Sequence, residues 1–443
     1  MLQSFRFANH RSFPDEQQLN LMPAFPADQP GGASEPVRVV GIFGANASGK
    51  SNVLDALNFM RYQVINSSRN AEPDQGIERK PFLLSDDYKA APSRFVADLM
   101  LQEIHHTYGF TIDDNVVLEE WLYRYSPEHR DHVVFERTLD TYKWGSESKK
   151  VKENQLIADI TGSTSLFLSS ASRSFRTTDN PVRVSPVLFD AYRWFSRVYM
   201  RSVDTQSVLR SLQMHRYSDD RQRRLIDLLK AADTGILGLE VEPEVLEDEP
   251  STRPARISRV RNPRVKFLHS GSGADAYFDL RDESSGTRKL LALGIVATQV
   301  LDIGGTLVVD ELDASLHPLL TAHIIELFRA ADINPLGAQL LFTTHDAVLL
   351  GSIDGRDVLK RDEVWFAEKD DEGASAIYSL AEFKPRKFGE NRARRYLNGS
   401  YGAVPDLSAE LFAAALRTRQ ENPPSVEAGS DHAEAGAQPD SGG

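Results

Sequence analysis

Eight consecutive residues carry the clearest chemistry in this chain: Gly44-Ala45-Asn46-Ala47-Ser48-Gly49-Lys50-Ser51, the pattern G-x-x-x-x-G-K-S. They follow an apolar run, Val37 to Phe43, that reads as a buried strand, and they open a helical pattern through Val53, Leu54, Leu57 and Met60. Strand, glycine-rich loop and helix N-terminus form the context in which this pattern cradles a triphosphate. The glycines let the backbone curl so that N–H groups face the phosphates. Lys50 then reaches the β- and γ-phosphates, and the Ser51 hydroxyl ligates Mg²⁺. A plain Gly-rich turn would not need Lys50 and Ser51 side by side.

Two further strand ends supply groups that such a ligand would use. Thr306-Leu307-Val308-Val309 runs into Asp310-Glu311. Beside a bound triphosphate, the first acid suits the Mg²⁺ shell and the second suits a base that orients attacking water. Without the phosphate loop the pair would read as a charge pair at a helix N-terminus. Thirty-four residues beyond Glu311, the run Leu340-Leu341-Phe342-Thr343-Thr344 ends at His345, which can donate to a γ-phosphate.

These residues need a sheet to hold them together. The expected fold is α/β: a P-loop NTPase with a mainly parallel core sheet, an antiparallel β lobe and a helical insertion. The β lobe is read from period-two alternation starting at Phe95, Ala97, Leu99 and Leu101 and continuing through His106–Ile112, Val116–Tyr125 and Val133–Leu139. From Leu166 to Ala232 the pattern reads as helical, with Gly235 as a stop. The irregular stretch from Pro14 to Pro36 is expected to join the first strand to the second. The expected divisions are an N-terminal ATPase lobe at 1–145, a helical insertion at 146–267, a C-terminal ATPase lobe at 268–417 and a disordered acidic tail at 418–443.

Composition narrows the class. The chain has 443 residues, 51 Lys plus Arg against 64 Asp plus Glu, a net charge of −13 and no cysteine. That excludes a disulfide scaffold, a cysteine nucleophile and thiolate-bound zinc or iron–sulfur centres. The acidic balance argues against a surface coated in DNA contacts but leaves room for a local basic patch. Two candidates are the arginines from Arg253 to Arg264 with Lys266, and the cluster Lys384, Arg386, Lys387, Arg392, Arg394 and Arg395. The first follows an acidic run, Glu240 to Glu249, so the two runs either pair across a hairpin or present a partner surface. No secretory leader or bilayer-length apolar run is visible, and a cytoplasmic, membrane-free protein is expected.

The nucleotide motifs resemble those of ABC-type ATPase heads. Asn46 in the loop, Glu311 after Asp310, the run Leu312-Asp313-Ala314-Ser315-Leu316-His317-Pro318 and His345 look like the P-loop, Walker B, D-loop and switch histidine. Glu283-Ser284-Ser285-Gly286-Thr287, which opens a helical run 24 residues before Asp310, is similar to the L-S-G-G-Q signature, keeping Ser and the second Gly. A polar loop capping a core helix is the simpler alternative. The resemblance implies that Ser284 and Gly286 contact ATP bound by a second subunit, making a homodimer with two sandwiched nucleotides. It also makes Arg11 a candidate nucleotide contact, although a surface arginine at the loop's edge fits equally well.

The interval of 233 residues between Ser51 and Ser284 and the lack of sustained heptads separate the chain from transporter domains and long-armed SMC proteins. What remains resembles short-armed RecF- and OLD-like heads, and within them the RloA group of ATPases from prokaryotic restriction and anti-phage operons. Asn9-His10-Arg11-Ser12, Glu119-Glu120-Trp121, Phe135-Glu136-Arg137, Leu166-Phe167-Leu168-Ser169 and Asp362 to Phe366 carry that likeness. It implies an ATPase that controls a separate nuclease or toxin. A RecF-like DNA-repair ATPase and an ATP-dependent scaffold with negligible hydrolysis are the alternatives. Glu368, Asp370, Asp371 and Glu372 read as a hairpin tip rather than a Toprim metal site, so no intrinsic nuclease is expected.

Overall fold

The computed structural model describes residues 1–443 except 30–34, 71–75, 126–130, 177–184, 202–218, 233, 243–263, 272–275, 388, 406–409, 412 and 415–443. Its center is a six-stranded sheet in the order Ser375–Ser379, Val364–Lys369, Val39–Phe43, Gln339–Thr343, Thr306–Val309 and Val198–Arg201. The last five strands run parallel, and Ser375–Ser379 closes one edge as an antiparallel hairpin arm.

Near-continuous apolar strands are what a sheet covered on both faces requires, because successive side chains point to opposite sides. Val40, Ile42, Val308, Leu341, Trp365 and Ala367 enter one core. Their neighbours Val39, Phe43, Leu307, Val309, Leu340, Phe342, Val364 and Phe366 enter the other. The second core contains the helices Ser285–Ile303 and Pro318–Arg329. The first contains the helix Lys50–Asn70, through Val53, Leu54, Leu57 and Met60, together with Phe5, Phe7, Phe95, Ala97 and Leu99 of a second sheet. Gly41 has no room for a side chain, since a Cβ there would lie 2.9 Å from the Phe342 ring.

The second sheet is antiparallel and seven-stranded: Gln17–Asn20, Leu2–Ala8, Ser93–Leu101, Ile104–Ile112, Val117–Tyr125, Asp131–Thr138 and Thr141–Trp144. Four of these are the period-two runs. Gln17–Asn20 falls inside the stretch from Pro14 to Pro36 and pairs with the first strand. The motif stretches Glu120, Arg137 and Leu166–Leu168 meet behind this sheet. Buried Glu120 accepts hydrogen bonds from the Phe167 and Leu168 N–H groups at 2.6 and 3.0 Å and from the Tyr108 hydroxyl at 2.9 Å. Arg137 lies 3.8 Å away and donates to the carbonyls of Leu139, Ser165 and Gly162. Burial pushes the Glu120 carboxyl pKa up, and Arg137 and the two N–H donors oppose that rise.

The segment at 146–267, expected as a helical insertion, also contains strands. It contains the helices Lys152–Asp159, Pro186–Ser196 and Asp219–Ala231, but Val198–Arg201 between them is an edge strand of the core sheet, in register with Thr306–Val309. A four-residue run directly after a helix is too short to show a periodicity of its own, so only its partner strand reveals it. Beyond it, Ile236–Glu242, Arg264–His269 and Ala276–Asp279 form a small antiparallel sheet. Its backbone register sets Glu240 opposite Lys266 and Glu242 opposite Arg264, so the near ends of the acidic and basic runs lie on adjacent strands. The rest of both runs, and the tail at 418–443, lie outside the described residues. By contacts, Met1–Val404 is one unit and Pro405–Gly443 a second.

Truncating Glu120 removes the acceptor for three donors and leaves Arg137 beside a void. Glu120→Ala is expected to destabilise the fold by about 3 kcal/mol in urea unfolding; a loss under about 1 kcal/mol would show that the network is dispensable.

Candidate functional site

The phosphate loop is shaped by two glycines at positions where no other residue fits. A Cβ on Gly44, whose φ is 156°, would lie 2.3 Å from the Ala367 carbonyl and 2.6 Å from Ser48 Oγ. On Gly49, whose φ is 107°, it would lie 2.7 Å from Ser375 Oγ and 3.0 Å from Ser12 Oγ. Ala47 completes the curl at φ 63°. Ser48 Oγ is buried with no hydrogen-bond partner among the described residues. A cradle that side chains would fill, with an unsatisfied hydroxyl inside it, fits a polyanionic ligand. Asn46 is exposed on the rim.

Lys50 starts the helix Lys50–Asn70 and is buried. Its Nζ donates to the Gly44 and Ala45 carbonyls at 2.9 and 2.7 Å, which holds the ammonium over its own loop. Burial lowers its pKa, while Asp310, Glu311 and Asp313 favour the charge.

Ser51 and Asp310, far apart in sequence, meet directly: Ser51 Oγ donates to Asp310 Oδ1 at 2.9 Å. A hydroxyl and a carboxylate at the mouth of the loop are hard oxygen donors of the kind Mg²⁺ takes, alongside phosphate oxygens and water. The same Asp310 oxygen accepts from Thr343 Oγ1 at 2.6 Å, and Thr343 Oγ1 in turn accepts the Glu311 N–H at 2.7 Å. One threonine thus sets both acids. Glu311 has the left-handed φ of 51°, a strained backbone for this residue type. His345 Nε2 lies 3.5 Å from Glu311 Oε1. Both side chains are open to solvent.

A loop after the first strand packs beside the cradle. Asn9, at φ 50°, donates through Nδ2 to the Tyr88 and Ala91 carbonyls at 2.7 and 2.8 Å and accepts the Phe82 N–H at 2.9 Å. This fixes the turn that carries His10, Arg11 and Ser12. Ser12 Oγ accepts from Asn52 Nδ2 at 2.8 Å and lies 2.8 Å from Ser375 Oγ. Arg11 donates to Asp55, one helical turn beyond Ser51, and His10 Nε2 lies 2.9 Å from the same carboxylate. Burial alone would raise the Asp55 pKa, but the bonds from His10 and Arg11 hold it well below the ordinary carboxylate value. Arg11 is therefore next to the phosphate-loop helix and engaged there by Asp55.

Ser284 and Gly286 are not hydrogen-bonded to the phosphate loop among the described contacts. Ser284 caps the helix Ser285–Ile303: its Oγ accepts the Thr287 N–H at 3.0 Å and sits 2.8 Å from Thr287 Oγ1. Gly286 packs against the chain after Glu311, where a Cβ would come within 2.7 Å of the Ser315 carbonyl.

Sequence reading gave no site role to Thr343 or Asp55, and it met Ser12 only as part of the Asn9–Ser12 likeness. A threonine closing a buried strand two residues before His345 is a visible signal; the others are not, since only packing brings them to the site. The acids at 368–372 form a turn in which Asp370 Oδ1 accepts the N–H groups of Glu372 and Ala374 at 3.0 and 2.8 Å. Among the described residues, no helix is long and apolar enough to cross a membrane.

A parallel sheet with this loop, these strand ends and this helix defines a P-loop ATPase domain. The family described as "AAA domain, putative AbiEii toxin, Type IV TA system" matches residues 39–351, and the chain belongs to it. No curated protein matches the sequence. Among solved structures, the SMC head domain from Thermotoga maritima is similar at 15% identity over 85% of this chain and 98% of that one, with a TM-score of 0.39. The Smc head domain of Pyrococcus furiosus, with an extended coiled coil and bound to the C-terminal domain of ScpA, is similar at 15% identity over 86% and 97%, with a TM-score of 0.38. Neither likeness is close enough to carry weight.

Thr343→Val keeps the shape of the side chain and removes both of its bonds. We expect kcat for ATP to fall about 10–100-fold with KM changed less than about threefold, measured by steady-state phosphate release. An unchanged kcat would mean that the two acids hold their places without it.

Proposed function

We propose that this chain is an ABC-type ATPase whose ATP-bound homodimer controls a separate effector, a nuclease or toxin, in an anti-phage setting of the RloA kind. The observation that carries the enzymatic part is the linked set Ser51, Asp310, Thr343 and Glu311 at the mouth of the phosphate loop. Bound ATP and Mg²⁺ supply the phosphoryl group to be transferred and the positive charge that stabilises it. The cradle from Gly44 to Ser51 would hold the phosphates, with Ser51 and Asp310 as the residues for Mg²⁺. Glu311 is positioned to take a proton from water, and His345 to donate a hydrogen bond at the same place. Arg11 would reach the nucleotide by giving up its bond to Asp55, which would keep His10 as a partner.

The case for a dimer is the signature turn. Ser284 and Gly286 sit at a helix N-terminus, a ready site for an anion; Ser284 caps its own helix and Gly286 packs against Ser315, after Glu311. A second copy related by a twofold axis would supply the nucleotide they face. The family's name includes a toxin and a toxin–antitoxin system, which supports a paired-gene setting for the effector.

For the DNA-repair alternative, three of the six basic residues near the C-terminus are engaged by acids, while Lys384, Arg386 and Arg394 are exposed. Lys387 pairs with Asp28 at 2.7 Å and Arg392 with Asp357 at 2.8 Å, and Arg395 pairs with Glu390. Arg253 to Arg261 lie outside the described residues.

Two experiments test the reading. Glu311→Gln is expected to cut turnover by about 10²–10⁴-fold while leaving ATP bound and the dimer trapped, as read by size-exclusion chromatography with ATP; wild-type turnover in that variant removes Glu311 as the base. Lys50→Ala and Ser284→Arg should each be inactive alone. Mixed, they should regain at most one of two sites, and inactivity of every mixture counts against a shared site.

A further inference from the structure

Lys289 lies one helical turn into Ser285–Ile303, faces inward and is 7% exposed. Its Nζ donates to the main-chain carbonyl of Glu311 at 2.5 Å. A long, flexible cation is costly to bury, and here it is spent on a backbone oxygen that already accepts the Ala314 N–H at 3.1 Å. The charge is offset by the acids around it, Asp310, Glu311 and Asp313. Asp313 Oδ1 is itself buried without a hydrogen-bond partner among the described residues.

The consequence concerns Glu311. Its peptide groups are held on both sides, the N–H by Thr343 of the neighbouring strand and the carbonyl by Lys289 of the signature helix. Ser315, four residues on, is also left-handed at φ 62°, and its carbonyl packs against Gly286. The turn from Glu311 to Ser315 is therefore clamped to the first turns of the signature helix at two points, one a hydrogen bond to a charged donor and one a contact that admits only glycine. Two non-glycine residues at positive φ keep that conformation only while their surroundings hold them.

We propose that Lys289 is a positioning residue that ties Glu311 to the signature turn, so that hydrolysis in one site depends on how the signature turn of the same subunit is seated on its partner's nucleotide. This rests on the ATPase reading above. Lys289 touches no reacting atom. Its part is to fix the backbone from which the Glu311 carboxylate projects and to pass on displacement of the helix N-terminus.

The test compares wild type, Lys289→Met and Lys289→Arg in full-length protein with Mg·ATP. Lys289→Met should lower kcat about 10-fold or more with KM within about twofold, and should speed amide exchange at residues 311–316 with the rest of the described core unchanged. Lys289→Arg, which keeps a charged donor, should recover at least about a third of the wild-type kcat. Wild-type kcat in a folded Lys289→Met protein overturns the proposal, as does a loss confined to KM. If Lys289→Met does not fold, Lys289→Gln takes its place under the same criteria. If the wild-type protein does not hydrolyse ATP, the ATPase reading fails on its own. Amide exchange then decides the Lys289 link: faster exchange at 311–316 in the variant supports the tie, and unchanged exchange removes it.

Discussion

A single carboxylate oxygen, Oδ1 of Asp310, receives hydroxyls from two other parts of the chain, Ser51 at the start of the phosphate-loop helix and Thr343 at the end of the neighbouring strand. Every group the site would use is placed relative to that meeting point. It exists because three parallel strands stop level with one another: Ile42 lies beside Thr343, and Phe342 beside Val309. Ligand sites in open parallel sheets form at such carboxyl ends, where loops leave the sheet side by side. A shift of one residue in either pairing would turn Thr343 to the other face and separate the two acids from the loop.

The remaining architecture secures that register. The helix Lys50–Asn70 joins the core sheet to the antiparallel sheet through one continuous apolar cluster, so the phosphate loop is anchored from both sides. Around the loop, packing is close at Gly41, Gly44 and Gly49, against Phe342, Ala367 and Ser375 in turn. The hairpin Val364–Ser379 therefore does more than cover a sheet edge, because its backbone and Ser375 form a wall of the cradle. On the opposite edge, Val198–Arg201 pairs with Thr306–Val309 and shields the strand that delivers Asp310 and Glu311. Glu120 and Arg137 serve the antiparallel sheet in the same way, with a buried polar network that fixes the chain from Leu166 to Leu168 against it.

Much of this was legible in the sequence. The phosphate loop, both acids, the strand-terminal histidine and the antiparallel meander are local patterns in which residue type and spacing carry the physics. The loop's conformation follows from its glycines, and the two buried faces of the core follow from uninterrupted apolar strands. Less legible were the strand Val198–Arg201, too short to show a period, and the strand Gln17–Asn20, hidden in a Pro- and Asp-rich stretch. The likeness seen at Glu120, Arg137 and Leu166–Ser169 marked residues that belong to one network, but nothing in their order announced that the network is structural rather than chemical.

The sequence by itself determined that a phosphate cradle, a pair of acids and a histidine are present, because each is written within a few consecutive residues. Only the tertiary structure decided how they are joined. Thr343 links two acids 33 and 32 positions away, Asp55 engages Arg11 across 44, and Lys289 reaches the Glu311 carbonyl across 22. Hydrogen bonds of that kind depend on strand register and helix orientation, which are settled by burying two apolar faces at once and leave no trace in local spacing.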